Sequence, residues 1–479
     1  MNDRPSEHDR IVEGSLREWL AVERPLPADR DAELQAVLEH IHQAPGARRR
    51  LQRWFGRDAL ARRRRERRDL ASQTHLRRDR LMYSATGLVA LIAVLALAVN
   101  VTTDTTDQPP AAGAATLSVA ADGSADHSTI GDALEAAAEG DTILVAPGTY
   151  QEALLIDKDV TIRGDGPREE IVITGFADPA MWPADGEREC DYGSRGLDGC
   201  AVLSLDSSVV ISDLTFHGDY AGMWAYGGAP VLERVTLDGV GRPFLDAESE
   251  GGEALVATHG SELALRDSLV VASRSPWLRR GSNAMIEGNE FTDGSSLIVA
   301  DAGSATVIRG NHFSGSGGIH VWDETTALIE GNVIQGADRY AIDINDGDGT
   351  AEGFDPVLRG NVIEDSNNGI LVVSLADPTI EDNRISGVKT GIQLGDSTAD
   401  VSSNEISDST TGIVVVTRGA PTITDNIIDV SDRGIVAGAG TSPVIDGNEV
   451  CGGDVSIYVN DEATPEMGQN QTCEGDVTS

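Results

Sequence analysis

Four side chains able to move protons or hold an ionised sugar lie within one stretch of the chain: Arg279, Asp301, His320 and Asp343. Hydrolysis of a glycosidic bond needs two carboxylates at a set gap, which Asp301 and Asp343 would supply. Elimination needs a base such as Arg279, with acids to hold a cation, and His320 could also serve as general base. Interleaved with them are Trp224, Tyr226, Trp277, Trp322 and Asn345. Aromatic rings stack on the apolar faces of pyranoses while polar groups fix the hydroxyls, so this set predicts a substrate-binding face for a polysaccharide. A plainer expectation competes with it: a lone strand histidine is usually a surface hydrogen-bonder, and loops such as 240–253 could cover the rings. Asp346, Asp348, Thr350 and Glu352 alternate oxygen ligands in a Gly-rich turn, a pattern that suits calcium but lacks the full EF-hand set. The alternative there is an acidic surface insertion. Copper is disfavoured, because the nine His and six Met form no cluster.

A repeat must place these residues side by side. Gly288-Asn289, Gly310-Asn311, Gly331-Asn332, Gly360-Asn361, Asp382-Asn383, Ser403-Asn404, Asp425-Asn426 and Gly447-Asn448 follow at gaps of 22, 21, 29, 22, 21, 22 and 22 residues. Gly, Asp and Asn tolerate the left-handed backbone that such a corner needs. Asn stacked in register can hydrogen-bond along the axis. A β-prone segment precedes each step, and a Gly-Ile strand follows after a polar turn. This is an all-β solenoid of about 22 residues per coil, a single-stranded parallel β-helix.

With side chains alternating along each Gly-Ile strand, every coil offers one outward pair. The predicted pairs are Trp224/Tyr226, Val256/Thr258, Trp277/Arg279, Val299/Asp301, His320/Trp322 and Asp343/Asn345. Leu371/Val373, Gln393/Gly395, Val414/Val416, Val436/Gly438 and Tyr458/Asn460 complete the row. Coils about 4.8 Å apart put Asp301 and Asp343 roughly 10 Å apart, slightly beyond the usual inverting gap. Leu371, Val373, Val414 and Val416 make the distal half apolar, which predicts a covering loop, a protein partner or another copy of the chain.

Charge divides the molecule. Residues 1–82 carry 19 Arg against 14 acids (+5), and the rest carries 18 basic residues against 64 acids (−46), which together give the net −41. Phosphate would be repelled by the acidic part, which excludes nucleic acid as its partner. Leu81 to Val99 holds 19 residues without a charge, about 28 Å of helix, enough to cross a bilayer. Arginines precede it and Thr-Asp repeats follow, so the expected topology is a single-pass anchor with the N-terminus cytoplasmic and the C-terminal domain extracellular or periplasmic. The expected organisation is a basic cytoplasmic helical segment (1–80), a transmembrane helix (81–101), a linker (102–115), the β-helix (116–460) and a tail (461–479). Ser128 is the expected N-cap of a helix over about Thr129 to Glu139, with Ile130, Leu134 and Ala138 inward, closing the open end of the solenoid. Cys190, Cys200, Cys451 and Cys473 all lie in the acidic part and fit two disulfides in an oxidising compartment, with free buried thiols as the alternative.

Val119-Ala-Ala-Asp-Gly-Ser, the Ser128 to Ala137 stretch, Gly140-Asp-Thr-Ile-Leu-Val-Ala-Pro-Gly-Thr-Tyr and Val160-Thr-Ile-Arg-Gly-Asp-Gly-Pro together resemble the opening of pectin-lyase-like right-handed β-helix proteins. The likeness spans roughly 116–460 and is nearest to pectin methylesterases and to periplasmic β-helix repeat proteins linked to copper. It implies a right-handed solenoid. It does not carry over esterase chemistry: only Gly241-Arg242-Pro243-Phe244 echoes an esterase motif, and no Asp motif accompanies it. Three functions remain in view: glycan binding by a membrane-anchored β-helix; a polysaccharide lyase, glycoside hydrolase or epimerase; and a structural or adhesion module.

Overall fold

The computed structural model describes residues 114–174, 202–217, 223–238, 255–271, 276–293, 296–299, 305–315, 317–322, 325–345, 355–373, 376–451, 453, 455–472 and 477–478. The proposed anchor and cytoplasmic segment lie outside them. Among the described residues, no helix is long and apolar enough to cross a membrane.

Each coil lays down three short strands, and every strand pairs in parallel with its counterpart one coil away. The first face is a 15-stranded sheet running from Thr116–Val119 to Glu466–Met467. A second face follows each Asn corner, and a third, the lateral face, carries the Gly-Ile strands. The second and third faces merge where Glu405–Val416 and Ile427–Ala437 run through the corner unbroken.

The two-residue alternation decides what fills the solenoid. Ile286, Ile308, Ile329, Leu358, Ile380, Val401, Ile423 and Ile445 stack in register on the first face, all fully buried. Phe291 and Phe313 sit within a matching column on the second face that runs from Ile173 through Phe216, Leu237 and Val270, their rings 4.4 Å apart and nearly parallel. Outside the first face, Glu233, Arg266, Glu287, Arg309, Glu330, Arg359 and Glu381 occupy one row with alternating charge. Arg359 reaches Glu330 at 2.5 Å and Glu381 at 3.8 Å. A one-coil slip would stack like charges in this row, so it reinforces the register that the apolar columns set.

The Asn corners form the ladder that the repeat predicts. Each Asn Nδ2 donates to the next Asn Oδ1, which also accepts the backbone N–H of the preceding Asn; between Asn332 and Asn361 both bonds are 3.0 Å. The ladder begins where Ser268 N–H reaches Asn289 Oδ1 and extends to Asn470, one step beyond the sequence repeat. The residues before these Asn sit at positive φ, among them Gly310 at 62°, Asp382 at 56° and Ser403 at 57°. On the lateral face the recurring Gly before Ile has a different cause. A Cβ at Gly412 would lie 2.4 Å from the Gly434 carbonyl oxygen of the next coil.

The N-terminal helix is shorter than expected, Ile130–Ala136, and Thr129 rather than Ser128 caps it, accepting from Asp132 N–H at 3.1 Å. Ala133 joins Ile130 and Leu134 inward, whereas Ala138 lies past the helix and is exposed. The first coil grips both helix ends. Glu152 accepts the Ile130 and Gly131 N–H groups at 2.9 and 2.8 Å, and Lys158 donates to the Leu134 and Ala137 carbonyls at 2.8 and 3.0 Å. Opposite charges thus meet the two poles of the helix. The far end also differs from expectation: Glu466–Met467, Gln471–Thr472 and Val477–Thr478 continue the coil through the stretch read as a tail.

Asp141 ties this entry together by accepting the N–H of Ala138 at 2.8 Å and of Ala115 at 2.7 Å. The Ala138 bond, then the Ala115 bond, hold its carboxyl below the ordinary carboxylate value. A depressed folded-state pKa contributes stability above the unfolded value, and that contribution is lost as pH falls through the folded one. Amide exchange at Ala115 and Ala138, corrected for intrinsic rate, is therefore expected to quicken on acidification in the wild type. In Asp141→Asn it should be fast across the whole range. A wild-type profile that stays flat down to acid pH would contradict this role.

Candidate functional site on the lateral face

The lateral strands place the first residue of ten of the eleven predicted outward pairs in register, and both residues of seven. Trp224 pairs with Val256, Val256 with Trp277, Trp277 with Ile298, Ile298 with His320 and His320 with Asp343. Trp322 pairs with Asn345, which pairs with Val373, and Asp343 with Leu371. The row then runs through Gln393, Val414 and Val436 to Tyr458.

The exception is Val299/Asp301. Strand Ser296–Val299 takes its register from Leu297 and Val299, both fully buried in the core, so Ile298 fills the slot between Trp277 and His320. Asp301 lies outside the described residues, as do Asp346, Asp348, Thr350 and Glu352. The carboxylate pair spaced for hydrolysis therefore has no register to support it.

Trp224 and Tyr226 project away from the core but are covered, at 8% and 7% exposure. They form a satellite cluster with Val256, against which Leu205 and Trp277 pack. Burial of these large rings beside Val256 is ordinary apolar packing, so the open face begins only at Trp277. Sequence reasoning passed over two neighbours of this cluster. The His259 ring stacks on Tyr226 with centroids 5.0 Å apart, and Arg280 Nη1 lies 3.0 Å from His259 Nε2. A guanidinium can only donate, so His259 accepts through Nε2 and its Nδ1–H faces Thr258 Oγ1 at 3.1 Å. Both sit at left-handed corners, φ 56° and 49°, a conformation uncommon for non-Gly residues that the sequence does not announce.

From Trp277 onward the face is half-buried and mixed in chemistry. The Arg279 guanidinium sits 4.3 Å from the Trp277 ring centroid, which fixes a cation over an aromatic plane. Two coils further, the His320 ring lies 6.0 Å from Trp322, and its Nδ1 is 3.6 Å from Asp343 Oδ2. That separation is too long for a hydrogen bond. His320 Nδ1 and Asp343 Oδ1 are both buried atoms without a hydrogen-bond partner, although each side chain keeps 17% of its surface exposed. Leaving such atoms unpaired costs free energy that a bound polar ligand would recover. Chemically, Asp343 can charge-balance a protonated imidazole 3.6 Å away while the far ring nitrogen accepts a proton, and Asn345 and Arg279 can hold hydroxyl or acidic oxygens.

Cys451 is disulfide-bonded and ends the strand whose residues Glu449 and Val450 pair with Gln471 and Thr472. Cys190, Cys200 and Cys473 lie outside the described residues. Among the described residues no group of three His, Cys, Asp or Glu could hold a metal ion.

With this geometry in place, comparison with known proteins bears on the fold. The family described as right handed beta helix region matches residues 192–351 and again 271–399. The family described as periplasmic copper-binding protein (NosD) matches 350–473. That stretch does not fit copper: it contains no His, its one Met is Met467, and Cys451 is already bonded. Among solved structures, a PL6 alginate lyase bound to a trisaccharide is 15% identical, with 73% of this chain and 82% of that one covered at TM-score 0.46. The catalytic unit of a GH87 alpha-1,3-glucanase from Streptomyces thermodiastaticus is 14% identical, with coverage of 77% and 70% at TM-score 0.45. A mannuronan C-5 epimerase A-module from Azotobacter vinelandii is 14% identical, with coverage of 72% and 94% at TM-score 0.41. Likeness at this level concerns the solenoid, and those activities belong to those proteins.

Proposed function

As a right-handed parallel β-helix protein of the pectin-lyase-like kind, the chain, we propose, binds polysaccharide or a cell-surface glycan on its lateral face, centred on Trp277, Arg279, His320, Trp322, Asp343 and Asn345. The observation that carries this reading is the pair of buried atoms without a hydrogen-bond partner, His320 Nδ1 and Asp343 Oδ1, on adjacent rungs, with Trp322 beside His320 and Trp277 two rungs earlier in the same row. Trp224 and Tyr226 support the face from beneath its cover and do not contact ligand. The domain is held outside the cytoplasm by the apolar segment 81–101, with the basic residues 1–80 inside. Cys451 pairs with Cys473 across the last coils and Cys190 with Cys200, as an oxidising compartment allows. The turn at Asp346, Asp348, Thr350 and Glu352 takes calcium.

Retention of the full chain on immobilised polysaccharide tests the binding reading. Trp277→Ala and Trp322→Ala are each expected to weaken retention by about three- to tenfold, the range for losing one aromatic contact. Trp224→Ala is expected to lower the melting temperature instead. Unchanged retention in both exposed-ring variants would remove the glycan face.

The imidazole–carboxylate pair favours one second reading, a lyase, hydrolase or epimerase in which His320 moves a proton, Asp343 orients it and Arg279 steadies an acidic sugar. Absorbance from newly formed unsaturated ends, recorded on uronate polymers, separates lyase action from binding alone. A protein partner docked on Leu371, Val373, Val414 and Val416 is the structural alternative.

A further inference from the structure

The lateral face changes character at a single rung. His320 and Asp343 pair across one coil boundary, and Asp343 then pairs with Leu371 across the next, just as Asn345 pairs with Val373. Beyond that rung the first row reads Leu371, Gln393, Val414, Val436 and the second Val373, Gly395, Val416. All but the glycine are half-buried and all but Gln393 are apolar. A Cβ at Gly395 would meet Thr417 Oγ1 at 3.3 Å and Val416 and Val373 at 3.4 and 3.5 Å, so the two valines close over the glycine. Tyr458 closes it, with the Arg433 guanidinium 4.9 Å from the ring centroid. Four rung steps of about 4.8 Å make the strip roughly 19 Å long.

A polar pocket edge with unpaired atoms and an apolar strip in the same two rows call for a ligand that changes character at the same point. A bare polysaccharide would leave the strip wet, and an apolar protein segment would leave His320 and Asp343 unpaired. Resting on the glycan reading above, we propose that the natural ligand is a glycan-headed lipid, with its sugar over Trp277 to Asn345 and its hydrocarbon chain along Leu371 to Tyr458. The chain's own acidity (net −41) argues against a second copy as the occupant, since two such surfaces repel. Burying methylenes on Val and Leu contributes in proportion to chain length, because apolar area removed from water sets the gain.

The test uses the full chain held in amphipol and titrated with methyl, octyl, decyl and dodecyl maltoside, each below its micelle concentration. Affinity is expected to rise at least tenfold from octyl to dodecyl. Val414→Asp and Val436→Asp should abolish that rise, and the same amphipol in those variants corrects for partitioning. Trp322→Ala should weaken every member of the series while leaving the dependence on chain length intact. Flat affinity along the series, no binding by any member, or an equal rise in the Asp variants would overturn the proposal. Failure here is distinguishable from failure of the glycan reading: polysaccharide retention that still depends on Trp277 and Trp322 would stand without any chain-length effect. An Asp variant that changes only the sedimentation of the chain would assign the strip to self-association and likewise overturn the lipid.

Discussion

Asn361→Ala is expected to remove about 4 kcal/mol from the fold, a large share of the roughly 5–15 kcal/mol that holds a typical domain together. Its amide donates to the Ile329 carbonyl and to Asn383 Oδ1, both at 2.9 Å. Its Oδ1 accepts from the backbone and side chain of Asn332 at 3.0 Å. Alanine would leave the buried Asn332 N–H without an acceptor, at a cost of about 1–3 kcal/mol. It would also remove the amide's bonds to the Ile329 carbonyl, Asn383 and the Asn332 side chain, each worth about 1 kcal/mol where the other group keeps a second partner. Asn470→Ala, at the half-buried end of the same ladder, should cost less than about 1 kcal/mol, because water replaces what is lost. Solenoids unfold coil by coil, so denaturant midpoints are best read with amide protection in the flanking coils. Equal losses at Asn361 and Asn470 would show that the ladder does not stabilise the corner.

That corner explains why the fold was legible in the sequence. The step needs positive φ at one residue and an amide at the next, and Gly, Asp, Ser and Asn write both demands in plain letters at each coil from Gly288 onward. Strand ends were legible as well, since Val, Ile and Leu at every second position have nowhere to go but inward. The charged row from Glu233 to Glu381 was less visible, because its alternation appears only when residues 21 to 33 apart are aligned. The ends were misjudged for a related reason. Glu466–Met467 and Gln471–Thr472 carry little apolar signal, yet pair with Val444–Ile445 and Glu449–Val450 because a parallel edge offers its backbone groups to whatever follows.

The site was legible as a row and illegible as a surface. Alternation places Trp224, Trp277 and Trp322 on one side, but it says nothing about cover, and Trp224 proved to be packed against Val256. One slip of register moved Val299 into the core and gave its place in the row to Ile298. His259 and Arg280 escaped notice because they sit at corners, where the two-residue rule gives no direction. The adjacency of His320 and Asp343, 23 residues apart, was legible from the register of the Gly-Ile strands, whereas the burial of Nδ1 and Oδ1 without hydrogen-bond partners was not.

Removing either member of that pair is expected to move affinity and stability in opposite directions. If His320 Nδ1 and Asp343 Oδ1 await ligand hydroxyls, losing either partner costs about 1–3 kcal/mol of binding, so His320→Ala or Asp343→Ala should weaken polysaccharide binding by about 5- to 100-fold. In the free protein the same atoms are buried and unpaired. Asp343→Leu matches the residue one rung on, continues the Leu371 row and removes the orphaned oxygen. It should raise the unfolding free energy by about 1 kcal/mol while abolishing binding. The double variant His320→Ala/Asp343→Ala should cost less affinity than the two single losses added, since both act on one ligand. Asp343→Asn retains the shape and loses the charge, so a drop in affinity there, with little change in stability, assigns the effect to the carboxylate. A pair whose loss destabilises the fold and leaves binding intact would be a structural contact only, and the lateral face would then lose the centre on which its function is argued.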